Sequence, residues 1–175
     1  MKESEYNDEY TGDISVSAIE GKVTFSEFFD SHYLYNVKLP NLVDKWINTF
    51  SKFNYRTVEI IFSTFTTFQE NTDAFCNYIP TFLLANGSWK EASEKPLEAS
   101  LSLTYTLNQK QFNLKMDDFH NGDVTGVSFY GSFPYKLGDN TTVEKVNSIN
   151  KLLGNWQEDL KIYKDIVNKK FLGLN

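Results

Sequence analysis

Three carboxylates and an imidazole fall within seven residues, Asp117-Asp118-Phe119-His120-Asn121-Gly122-Asp123. Oxygen and nitrogen donors at that density could be wrapped around a divalent ion by a turn. The spacing, however, matches neither an EF-hand loop nor a helical histidine pair. Asn-Gly is a strong hairpin signal and aspartates solvate such turns, so the stretch reads as a polar hairpin loop.

The other reactive groups point the same way. Cys76 is the single cysteine, set between Phe75 and Asn77 with no base beside it in sequence. A nucleophilic cysteine needs an electropositive site, so a core thiol is the expected role. Gly126-Val127-Ser128-Phe129-Tyr130-Gly131 lacks the spacing of a nucleophile elbow. The glycines form no phosphate loop and no dinucleotide fingerprint. The adjacent pairs Asp117/Asp118 and Glu158/Asp159 would point apart on a strand or a helix, unlike two carboxylates facing across a cleft. No cofactor, no metal and no catalytic residue is expected.

Charge is concentrated at one end. The net charge is −6, and residues 1–30 carry eight acids against two lysines. The remainder holds 15 acids and 15 bases and is balanced. Sixteen bases are lysine and one is Arg56, with no basic cluster, which argues against nucleic-acid binding. An acidic segment can instead steer a basic protein partner into contact. Exposed tyrosines beside carboxylates suit the same purpose. The candidate partner-binding residues are therefore Glu3, Glu5, Asp8, Glu9, Tyr10, Asp13, Tyr33, Tyr35 and Tyr130.

The elements that would position these residues follow from periodicity. Residues 1–12 read as a loose acidic tail and 13–175 as a single domain. Ile14, Val16 and Ala18 alternate with serines and suggest a half-buried strand, with Glu20-Gly21 a turn into a second strand, near 14–25 together. Pro40 and Asn41 open a helix over about 41–53, whose apolar stripe runs from Leu42 to Phe53. A long strand near 55–68 carries apolar residues on both faces, which predicts a central place in the sheet. Residues 70–96 could hold a helical stripe kinked at Pro80. A meander over about 97–133 alternates cleanly, with Leu101, Leu103, Tyr105 and Leu107 on one face, then Phe112, Leu114 and Met116, then Val127, Phe129 and Phe133. A helical pattern over about 142–171 supplies its cover, with Gly154 a point of bending. The fold class is α+β, a single mainly antiparallel sheet with helices packed on one face.

The start of the chain is acidic where a secretory signal would be basic and then apolar, so a cytoplasmic location is expected. Its wealth of Lys, Asn, Tyr and Phe is what an A+T-rich bacterial or phage genome produces. Small, acidic and without catalytic groups, the chain is similar in type to bacterial immunity proteins, which neutralise a cognate toxin, and to phage inhibitors of host proteins. That resemblance implies a non-enzymatic protein-binding inhibitor whose target carries a basic patch, with no nucleic-acid or membrane partner. The alternatives are a small-ligand binder with an aromatic-lined pocket, or an enzyme of unrecognised family using Asp117, Asp118, His120 and Asp123, with His32 brought close by the fold.

Overall fold

The structure, a computed structural model, describes residues 14–29, 34–67, 78–84, 87, 99–107, 109–121 and 124–174. At 81–82, 119–121 and 124–125 it describes the backbone alone. The chain forms two compact units, Met1–Tyr55 with Asp139–Asn155, and Arg56–Gly138 with Trp156–Asn175. The class is α+β, but two antiparallel sheets replace the single one expected. Periodicity finds strands and their faces; it does not say which strand edges pair.

In the first unit, strands β1 (Ile14–Ile19) and β2 (Lys22–Glu27) pair in a continuous antiparallel register from Ile14↔Glu27 to Ile19↔Lys22. Glu20 (φ 35°) and Gly21 (φ 79°) close the ribbon. Two consecutive positive φ values are those of a type I′ turn, whose twist matches the strands it joins. Helix α1 (Leu39–Thr49) begins two residues before the expected start at 41, with Pro40 in its first turn, and stops short of the expected end at 53. Phe53, counted on its apolar stripe, lies beyond the helix and is exposed. Trp46, Phe50, Phe53 and Tyr55 form a chain of ring contacts at 4.2–6.3 Å. Helix α2 (Thr142–Gly154) packs on α1. It opens with a reciprocal cap: Glu144 accepts from the Thr141 backbone, and Thr141 Oγ1 accepts from the Glu144 N–H. Buried Lys145 donates to Asn54 Oδ1 at 2.8 Å.

In the second unit, strands β3 (Thr57–Thr67), β4 (Ser100–Leu107), β5 (Lys110–Asn121) and β6 (Val124–Lys136) form a sheet in the order β3-β6-β5-β4. The meander is as expected. Among the described residues strand β3 is an edge strand and not the central one expected, pairing with β6 alone. Its two apolar faces have separate causes. Val58, Ile60 and Phe62 lie on the side of the core, whereas Ile61, half-buried, and Phe65, exposed, lie on the opposite side.

The predicted C-terminal helix breaks at Gly154, and helix α3 (Trp156–Ile166) resumes after it, ending in a wider helical turn, Val167–Leu172. Tyr163 of α3 lies on the sheet, 5.6 Å from the Phe62 ring and 6.5 Å from Phe112. Its hydroxyl shares a 2.6 Å hydrogen bond with Thr64 Oγ1 and donates to the Phe129 carbonyl at 3.1 Å. Burial pushes this hydroxyl up to about 12, against a smaller opposing effect of its bonds to Thr64. The folded chain therefore holds the proton at a pH where the unfolded chain, titrating near 10, has lost it. Tyr163 stabilisation is complete below pH 10 and is expected to fall as pH rises toward 12, by about 2–3 kcal/mol. Tyr163→Phe should flatten that part of a stability-against-pH curve. An unchanged slope would show that the hydroxyl is not buried as described.

Candidate functional site

The first unit exposes apolar surface where the sequence predicted a half-buried strand. All six residues of β1 are exposed, and among them Val16 is 52% and Ile19 72% accessible. Alternation places Ile14, Val16 and Ala18 on the side of Phe25 and Val23. On that side β2 is seated, because Phe25 meets Trp46 edge-on at 5.5 Å. Strand β1 carries the same apolar pattern yet remains open. Periodicity reports an apolar face and is silent about whether anything covers it.

What fixes the ribbon is Glu27, which sequence reasoning missed. Its carboxylate accepts from the N–H of Lys38 at 2.9 and 3.0 Å and from that of Leu39 at 2.7 Å. Lys38 stands at the N-cap of α1 with no side-chain cap of its own. Glu27 therefore supplies from β2 the anion that the helix start favours. The sequence signal was an uncapped helix start; the partner eleven residues upstream was not visible. Glu27→Ala is expected to cost about 1–2 kcal/mol of stability in the first unit. A urea titration reporting on Trp46 would measure it, and an unchanged midpoint would refute the role.

The predicted partner-binding residues distribute as follows. Glu3, Glu5, Asp8, Glu9, Tyr10, Asp13 and Tyr33 lie outside the described residues, with Asp13 directly preceding β1 in the chain. Tyr35 sits in a single 3₁₀ turn, Leu34–Asn36, and is 80% accessible. Phe28, just past β2, is exposed as well. Tyr130 belongs to the second unit, on the solvent-facing side of β6, between Ser63 of β3 and Lys115 of β5. Burial and the charge of Glu59 both push its hydroxyl up.

The same polar face separates the carboxylates of the sequence motif. Asp117 lies on it, accepting from Lys115 at 2.7 Å and Ser100 at 2.5 Å. Burial alone would raise this carboxyl; the hydrogen bonds from Lys115 and Ser100 and the Lys115 charge hold it below its usual value. Asp118 points to the other face, where it accepts from the Ala99 N–H at 3.3 Å. Adjacent strand residues on opposite faces cannot share one ion. The His120 side chain, Asp123, His32 and Cys76 lie outside what is described. Among the described residues no cluster of three or more His, Cys, Asp or Glu could hold a metal.

A buried polar cluster escaped the sequence reading. Asp159 at the start of α3 has a side chain 3% exposed. It accepts from Lys110 Nζ at 3.0 Å and from the Tyr135 hydroxyl at 2.5 Å. Its neighbour Glu158 is open to solvent, so the two carboxylates do point apart. The three groups bind one another and pin α3 to the ends of β5 and β6. Between α3 and the sheet, Phe62, Phe112, Phe133 and Tyr163 are in mutual ring contact.

No protein-family model, curated protein or solved structure matches the chain. Among the described residues no helix is long and apolar enough to cross a membrane.

Proposed function

We propose that the protein is a non-enzymatic, cytoplasmic binder of another protein, of the kind represented by bacterial immunity proteins and phage inhibitors of host proteins. It docks through the β1–β2 ribbon and the acidic residues that precede it. The observation that carries this reading is the exposure of β1. Ile14, Val16 and Val23 present apolar surface to solvent on one side of the ribbon and Ile19 on the other, and β1 follows the acids Glu3, Glu5, Asp8, Glu9 and Asp13 in the chain. Apolar side chains inside a charged rim are the usual anatomy of a protein interface, and a cluster of them in solvent marks a binding surface. The acids favour a target with a basic patch. Tyr35 and Phe28 are further exposed aromatic side chains of the same unit.

A partner that grips the edge of β1 covers Val16 on one side of the ribbon and Ile19 on the other, and burying them would contribute about 1.5–3 kcal/mol each. Val16→Asp with Ile19→Asp is therefore expected to weaken the complex at least about 100-fold. The test is co-expression with the product of the adjacent gene, followed by titration of the purified pair. Micromolar or tighter binding, lost in the double variant while the circular dichroism is unchanged, supports the reading. Equal affinity of the two forms would place the interface elsewhere.

A further inference from the structure

The exposed strand has the properties of a template as well as of a surface. Strand β1, Ile-Ser-Val-Ser-Ala-Ile, has no charge, no proline and no bulge, and its register with β2 is unbroken. Exposed edge strands are normally blunted by lysine, proline or a bulge, because their outward N–H and C=O groups invite another strand. Strand β2 carries Lys22 and Glu27, the latter committed to α1. Among the described residues β1 pairs with β2 alone. A two-stranded ribbon is marginal by itself, and a third strand is the usual remedy.

Resting on the docking reading above, we infer that the partner pairs an extended segment with the outer edge of β1, and that this segment is basic at its ends. The charge at the two ends of β1 selects that occupant. Asp13 precedes the strand and Glu20 follows it, while Lys22, the only base of residues 3–30, sits on β2 across from Ile19. An added antiparallel strand brings one terminus to the Glu20 end of β1 and the other to the Ile14 end, which Asp13 precedes in sequence. Its alternate side chains extend the apolar side formed by Ile14, Val16 and Ala18. Main-chain hydrogen bonds then supply affinity, and the flanking charges supply orientation and choice of partner.

The test uses the full chain and two capped synthetic peptides, Lys-Val-Thr-Val-Thr-Val-Lys and its counterpart with both lysines replaced by glutamate. Backbone amide exchange is followed by NMR. In an antiparallel ladder alternate N–H groups face outward, so alternate amides of residues 14–19 should slow at least tenfold with the basic peptide and not with the acidic one. Added salt should reverse part of the effect. No slowing in β1, or equal slowing by both peptides, overturns the inference. Slow outward amides in a peptide-free chain of doubled hydrodynamic mass would also overturn it, because a second copy would then occupy the edge. A cognate complex that is lost in the Val16→Asp, Ile19→Asp chain while the β1 amides stay unprotected would keep the docking reading and remove strand addition.

Discussion

Gly131→Ala is expected to lower the stability of the second unit by about 2–4 kcal/mol. A methyl group built on Gly131 would lie 2.4 Å from Cδ2 and 2.8 Å from Cε2 of Tyr163, and 2.8 Å from Cε2 of Phe112. None of these rings has an easy retreat. Phe112 stacks on Phe133 at 4.7 Å. Tyr163 cannot slide without giving up its bonds to Thr64 and the Phe129 carbonyl, which would leave a buried hydroxyl unsatisfied. Overpacking of a filled core costs about 1–3 kcal/mol, and the threatened hydrogen bonds add to it. Gly154→Ala is the control, because nothing lies within 4 Å of a methyl there. At the end of α2 it should be neutral or stabilising by up to about 1 kcal/mol. Urea unfolding of both variants measures the difference. Adding Tyr163→Leu to Gly131→Ala should recover part of the loss, since it removes the ring that clashes. Equal midpoints for the Gly131 and Gly154 variants would contradict the described packing of α3 on the sheet.

Asp159→Ala is expected to cost about 2–4 kcal/mol. It removes the carboxylate that holds both Lys110 and the Tyr135 hydroxyl. Stripping one partner from a buried pair typically costs about 3–5 kcal/mol. Lys110 is about a third exposed and can regain water, which puts the expected loss toward the lower end. A second readout separates this role from simple loss of packing. In the native chain burial, the hydrogen bond to Asp159, and the charges of Asp159 and Glu158 all push the Tyr135 hydroxyl upward. Removing Asp159 should bring its titration down, seen as tyrosinate absorbance at lower pH. Asp159→Asn, which keeps an acceptor without the charge, should fall between the two. Unchanged alkaline absorbance in Asp159→Ala would show that the contact is absent in solution.

Much of the fold was legible because its signals are local. The alternation from Leu101 to Phe133 reports a meander, and Phe112, Leu114, Met116, Val127, Phe129 and Phe133 are buried as that pattern requires. The break next to Gly154 and the proline in the first turn of α1 were equally visible. What local signals lack is partnership. The strands at 14–27 read as part of one sheet and instead form their own ribbon. Strand β3 read as central because both faces are apolar, yet on the face opposite the core Ile61 is only half-buried and Phe65 is exposed, at a described edge of the sheet. Glu27 and Asp159 each act on a group more than ten residues away, and neither sits in a motif.

The candidate site was legible in a different sense. The acidic excess near the start of the chain and the apolar alternation of Ile14, Val16 and Ala18 were both on view. Their combined meaning depends on β1 being uncovered, which is a tertiary fact. The carboxylates of the Asp117–Asp123 stretch show the converse. They crowd together in sequence, and the pleat of β5 sends Asp117 and Asp118 to opposite faces.

We propose the β1–β2 ribbon as the docking surface for a basic protein partner. Site-specific photo-crosslinking in the source cell tests it most directly, with a benzophenone amino acid placed at Val16, at Ile19, or at Ser102 on the polar face of the second unit. Docking through the ribbon predicts one discrete adduct from positions 16 and 19, with the same protein, carrying a basic patch, and none from position 102. Silence at both ribbon positions, or an adduct from position 102 alone, would contradict it.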